Sequence, residues 1–133
     1  MRIVLDTNVL LAGVGTHGLC EALLAVCLRD HTVLMSQHII DELSRHCMGK
    51  FRMSADQAAL VVRTLSSHAE RVTPADPPAD TLADPDDLPV LGTAVAGRAD
   101  CLVTGDSELL ALGAYGSITI LAPRAFYERL RSE

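Results

Sequence analysis

Four short apolar runs constrain this chain more than any other feature: Ile3-Val4-Leu5, Val33-Leu34-Met35, Cys101-Leu102-Val103-Thr104 and Ile118–Leu121. None shows the alternation that would turn one side to water. Strands apolar on both sides belong to parallel sheets covered by helices on both faces. The segments between them have helical period. Leu19, Leu23, Val26 and Cys27 predict a helix over 19–29. Ser36 is placed to cap a second, with Ile39, Ile40, Leu43 and Cys47 on its buried face and Gly49 at its end. Ser54-Ala55-Asp56-Gln57 matches a capping box and opens a third through Ala58, Val61, Val62 and Leu65. Pro89 suits the first turn of a helix through Val90, Leu91, Ala94 and Val95 that closes near Gly97. A strand at 71–73, a Pro- and Asp-rich loop over 74–86, a short helix at 107–112 and a last one from Pro123 complete the chain. Strands alternating with helices predict one α/β domain over residues 1–133 with a mostly parallel sheet.

Composition then removes several functions. Hydrophobic residues are 49% of the 133, enough for a real core and too many for disorder. Eleven Lys+Arg against seventeen Asp+Glu give a net charge of −6, which excludes a simple basic patch for nucleic acid. Two Tyr, two Phe and no Trp leave no stacking platform for single-stranded bases. If the chain touches nucleic acid, its acidic groups are expected to do so through metal ions. Cys20, Cys27, Cys47 and Cys101 contain no CxxC pair and are expected to be reduced, mostly buried thiols. No stretch approaches the length of a membrane span, and Asp6 interrupts the first apolar run, against a signal peptide. A cytoplasmic protein is expected.

Gly13-Val14-Gly15-Thr16-His17-Gly18 spells G-x-G-x-x-G, which on a strand–turn–helix is a dinucleotide-binding fingerprint. Two features oppose that. The strand feeding the turn would carry Asp6, Thr7 and Asn8, and Val33-Leu34-Met35 ends in Ser36-Gln37 where an acid should hold the ribose. The segment is expected to be a glycine-rich turn, with dinucleotide binding as the alternative.

The acids are more telling. Asp6 directly follows the first strand, and Asp106 follows another, one glycine after Thr104. In open parallel sheets, ligands bind beyond the carboxyl ends of strands where strand order reverses. If those two strands are neighbours there, both carboxylates enter one cleft. Asp87 stands at a helix start, and Glu42 lies two turns into the helix after the second strand, beside its apolar face. Such acids repel one another unless a cation joins them, and oxygen-only ligands suit Mg²⁺ or Mn²⁺. Each has a plainer role: a turn former for Asp6, caps for Asp87 and Asp106, a solvated helix residue for Glu42. Asp84 or Asp86 could replace Asp87. His38 and His46 are expected on the surface. A phosphoaspartate receiver would need a lysine after a late strand, and the only one is Lys50.

At these residues the chain resembles a family. Met1 to Leu11, reading Met-Arg-Ile-Val-Leu-Asp-Thr-Asn-Val-Leu-Leu, is similar to the opening of a PIN-domain ribonuclease. Ser36-Gln-His-Ile-Ile-Asp-Glu-Leu, Asp84-Pro-Asp-Asp-Leu-Pro-Val-Leu and Ala99-Asp-Cys-Leu-Val-Thr-Gly-Asp-Ser-Glu-Leu-Leu resemble its later segments, in order. The resemblance implies a three-layer α/β/α sandwich with about five parallel strands. It implies Mg²⁺- or Mn²⁺-dependent hydrolysis of single-stranded RNA by in-line attack of a metal-activated water. The metal-binding acids it implies are Asp6, Glu42, Asp87 and Asp106, with Asn8 and Thr104 as accessory polar groups. Within the family the chain looks most like VapC-type toxins, which implies a homodimer and a silencing antitoxin. The competing outcome is an inert module that only binds its partner. Lys50 and ten arginines are available to hold RNA, with Arg98, Arg45 and Arg52 as candidates.

Overall fold

The computed structural model describes residues 1–133. In chain order the elements are β1 (Arg2–Leu5), α1 (Thr7–Gly15), α2 (Leu19–Asp30), β2 (Thr32–Met35), α3 (Gln37–Gly49), α4 (Ala55–Ser66) and β3 (Ala69–Arg71). They continue with α5 (Leu88–Ala96), β4 (Cys101–Val103), α6 (Ser107–Leu112), β5 (Ala114–Tyr115), β6 (Ile118–Leu121) and α7 (Pro123–Arg131). The apolar runs are the centre of the sheet, whose order is β3-β2-β1-β4-β6-β5. Five strands are parallel, and the sixth, the two-residue β5, pairs antiparallel with β6 at the edge. The expected five-strand sheet is therefore present with one added edge strand, too short to leave a sequence pattern.

The crossovers from β1 through β2 to β3 move one way across the sheet, and those from β3 through β4 to β6 move the other. Right-handed crossovers put α1–α4 on one face and α5 and α6 on the other. Thirty buried apolar residues form one cluster, with Ile3, Leu34, Leu102, Leu91 and Phe126 among the fully buried side chains. The caps expected from the sequence are made: Ser36 Oγ accepts from Ile39 N–H, and the Ser54–Gln57 box closes in both directions. The weak strand moves from 71–73 to Ala69–Arg71, pairing with β2. All four cysteines are free, and burial pushes the Cys27 thiol up to about 12, so it packs as an un-ionised group. No single helix is long and apolar enough to cross a membrane; α1 and α2 would suffice only together, and they are bent by 105°.

The glycine-rich turn is corrected. Asp6 N-caps α1, its carboxylate accepting from Thr7 N–H at 2.7 Å, so Thr7 to Gly15 is helix rather than strand and turn. Gly13 lies against Leu24 and the Cys20 carbonyl, and Gly15 against the Phe51 ring. Both are packing glycines inside a helix, and Gly18 has open space around it. No strand feeds a phosphate loop here, and the dinucleotide reading falls with it.

Candidate active site

Strand order reverses at β1: the chain leaves it toward β2 and later returns to pair β4 on its other side. Leu5 registers with Val103, so Asp6 and Asp106 follow the carboxyl ends of adjacent parallel strands. Thr104 joins them. It is fully buried, its hydroxyl donates to Asp6 Oδ2 at 2.7 Å, and it accepts from Asp106 N–H at 3.0 Å. Asp6 Oδ1 is occupied by Thr7 N–H, leaving Asp6 fixed in direction and 6% exposed. Asp106 does cap α6, one oxygen accepting from both Glu108 and Leu109 N–H. The cap and the cleft are thus served by the same carboxyl group, Asp106 lining the cleft as well.

Glu42 is not a solvated helix residue. Its side chain is 17% exposed, accepts from the Thr7 hydroxyl at 3.0 Å, and lies 3.2 Å from His38 Nε2. The expectation of a surface His38 is corrected accordingly: it is half-buried because it sits one helical turn before Glu42 and packs onto it. Asp87 occupies the N-cap position of α5 but makes no capping hydrogen bond. Its Oδ2 is buried with no partner at all. Asp84, by contrast, is a turn former: its side chain accepts from Asp86 N–H, and its own N–H is held by Glu108. Glu108 also takes Ala83 N–H at 2.9 Å, so one carboxylate of α6 anchors the loop that delivers Asp87. Nothing in the sequence pattern marked Glu108 for that task.

Asp6, Glu42, Asp87 and Asp106 line one cleft of about 220 Å³, with Thr7 and Asn8 on its α1 side. Asp84 and Asp86 do not line it. Of the candidates for holding a substrate, Arg98 is at the wrong end. It follows α5, where Asp100 N–H bonds Arg2 O at the amino ends of β4 and β1. Arg45 and Arg52 are exposed and outside the cleft; His46 and Lys50 line it instead.

The electrostatics are those of a site missing counter-charge. Burial, opposed by its two hydrogen bonds and assisted by Glu42 and Asp106, holds the Asp6 carboxyl above its ordinary range. Burial, then Asp106, Asp84, Asp6 and Glu108, push Asp87 up to about 7. An orphaned carboxylate oxygen with a raised pKa, in a cleft it shares with three further carboxylates, fits a hard divalent cation. No three Asp, Glu, His or Cys side chains are gathered closely enough to hold a metal ion by themselves. Magnesium asks for no such cluster, since it keeps several waters and takes one or two carboxylates plus substrate oxygens.

A family model described as PIN domain matches residues 2–108, a span that contains all four acids. The chain belongs to the PIN-domain family. The fold of this chain is also seen in solved structures. A crystal structure of VapBC2 from Rickettsia felis, bound to a DNA fragment from its promoter, superposes with a TM-score of 0.61. That match covers 90% of this chain and 97% of the other at 17% identity. No curated protein matches the chain in sequence.

Two predictions arise from this PIN cleft. Thr104→Val keeps the shape of the side chain but strands Asp6 Oδ2 and Asp106 N–H. Loss of about 1–3 kcal/mol of stability is expected in denaturant titration, and a fall within about 0.3 kcal/mol of zero would contradict the linking role. The second concerns pH. Asp87 holds its proton in the folded, metal-free protein at pH values where the unfolded chain, with an ordinary value of 3.8, has released it. Its contribution to stability is therefore full below about pH 4 and is lost as the pH rises through about 7. In EDTA, the melting temperature of wild type relative to Asp87→Asn should fall between about pH 5 and about pH 8. A gap that stays constant or widens in favour of wild type contradicts the burial of this carboxyl.

Proposed function

We propose that this protein is a metal-dependent endoribonuclease that hydrolyses phosphodiester bonds of single-stranded RNA. The observation that carries the reading is the partnerless, buried Oδ2 of Asp87 in a cleft with Asp6, Glu42 and Asp106. Asp6 and Asp87 are the principal holders of Mg²⁺ or Mn²⁺, and Glu42 and Asp106 complete or orient the site. A divalent ion there supplies charge neutralisation for the phosphodiester and help in deprotonating water. The chain's own groups do the rest. Thr104 and Thr7 N–H fix the direction of Asp6, the Thr7 hydroxyl holds Glu42, and Asn8 offers an amide at the rim. With an acidic chain, the cation is what makes the cleft attractive to phosphate.

Family membership supports the nuclease class, and the near-complete overlap with VapBC2 supports the toxin half of a toxin–antitoxin pair. On that reading the protein works in the cytoplasm as a homodimer silenced by an antitoxin. The test is cleavage of end-labelled single-stranded RNA, duplex RNA and single-stranded DNA in Mn²⁺, in Mg²⁺ and in EDTA. Internal cuts in single-stranded RNA that need the divalent ion are expected. A folded protein that binds Mn²⁺ and cuts none of the three is either specific for a narrow RNA target or an inert partner-binding module.

A further inference from the structure

Glu42, His46 and Lys50 are spaced four residues apart, and all three line the carboxylate cleft from α3 and the residue that follows it. Each step of four residues advances about 6 Å along a helix, so the row carries the cleft about 12 Å beyond Glu42. Lys50 is the only lysine of the chain and the one permanently charged cation lining that cleft. Its side chain is exposed, and its ammonium forms no ion pair within 4.0 Å, although four carboxylates share the cleft with it. The three arginines that do form ion pairs, Arg2, Arg29 and Arg131, are spent on Glu70, Asp30 and Glu128. An ammonium left free beside so much negative charge has the reach and the hydration of a phosphate binder.

We propose that Lys50, with His46 between it and the carboxylates, forms the substrate track of the cleft and binds a backbone phosphate neighbouring the scissile one in single-stranded RNA. This rests on the ribonuclease reading and adds the direction in which the strand leaves the reacting end: along α3, toward its C-terminus. It also replaces Arg98, Arg45 and Arg52 as the RNA contact. A neutral imidazole still has one N–H to donate, so His46 serves the track without needing charge. Lys50 and His46 also suit the negative end of the α3 dipole, a purely structural role that would change stability and leave RNA untouched.

Salt separates the two roles. Each phosphate neutralised on a single strand contributes about 0.7 to the slope of log affinity against log salt. Binding of a short fluorescent single-stranded RNA in Ca²⁺, and its cleavage in Mn²⁺, are measured over roughly 50–200 mM KCl for wild type, K50M, K50Q and K50R. K50M and K50Q should weaken binding about tenfold, raise KM more than they lower kcat, and flatten the salt slope by about 0.7. K50R should restore most of both. Melting temperature is followed for every variant, with K50Q guarding against a fold effect peculiar to methionine. Unchanged affinity, KM and slope in folded K50M and K50Q overturn the track while leaving the ribonuclease intact. RNA that binds through Lys50 but is never cut upholds the track and removes the nuclease. Wild type that neither binds nor cuts single-stranded RNA overturns both.

Discussion

Asp87→Asn is expected to lower RNA cleavage about a thousandfold and, at the same time, to raise the melting temperature of the metal-free protein at neutral pH. The two effects have one cause. Asp87 is held among Asp106, Asp84, Asp6 and Glu108, with a buried oxygen that no protein group satisfies. Without a cation its charge opposes folding, so a neutral amide of the same shape relieves the protein. With a cation that charge is what the site needs. Charge stabilisation by a catalytic ion amounts to several kcal/mol in the transition state, and losing about 4 kcal/mol of it is about a thousandfold in rate. A residue placed for packing would lose stability on substitution, whereas one placed for function at the expense of the fold gains it. Assays of Asp87→Asn at about pH 8 should therefore show a more stable, inactive protein. A variant that is less stable than wild type in EDTA, or that keeps its activity, would remove Asp87 from the site.

The largest stability effect is expected at a glycine remote from the carboxylates. Gly92 sits in the middle of α5, where a Cβ would overlap the carbonyl oxygen of Ala75, and Ala75 N–H bonds Gly92 O at 3.0 Å. The loop after β3 is laid directly on the helix at this point. Backbone cannot rotate away as a side chain can, so Gly92→Ala must part the loop from α5. A loss of about 3 kcal/mol is expected, against the helix-propensity gain of about 1 kcal/mol that alanine brings elsewhere. In a chain of this size that is roughly 10 °C in melting temperature. Gly18→Ala is the control: it has no neighbour within 4 Å and should change stability by no more than about 1 kcal/mol. If the two substitutions behave alike, the close approach of the loop to α5 is not a determinant of the fold.

The elements that decided the architecture were readable because burial on two sides leaves a plain mark. Ile3-Val4-Leu5 and Cys101-Leu102-Val103 have no polar residue, and they became adjacent strands at the point where strand order reverses. Once those runs were strands, Asp6 and Asp106 had to stand at one edge of the sheet. Helix α1 was not readable. Val9, Leu10, Leu11 and Gly13 are all buried, so the segment has no polar face to give a helical period, and its glycines imitate a turn. They are there because α2 and Phe51 approach too closely for a Cβ.

The site was legible in its acids and less so in their surroundings. Choosing among Asp84, Asp86 and Asp87 needed the loop geometry, because Asp84 turned out to bond Asp86 N–H and Asp87 to leave its capping role unfilled. The reach of His46 and Lys50 was in plain sight as a spacing of four from Glu42, but a histidine and a lysine near a helix end have an ordinary electrostatic explanation. Arg98 was misplaced because proximity in sequence to α5 says nothing of which end of the helix faces the site. Glu108 serves the loop through a contact 24 residues distant in sequence, which no local pattern announces.

The central claim is that this carboxylate cleft holds a divalent cation through Asp87. The most direct test is calorimetric titration of Mn²⁺ near pH 6.5, in two buffers of different ionisation enthalpy, for wild type and Asp87→Asn. Because Asp87 titrates at about 7 in the metal-free protein, it is largely protonated at that pH and must release its proton to bind the ion. Wild type should bind Mn²⁺ with release of a substantial fraction of one proton, and Asp87→Asn should bind at least about tenfold more weakly with that release abolished. Equal affinity and equal proton release in the two proteins would contradict the claim.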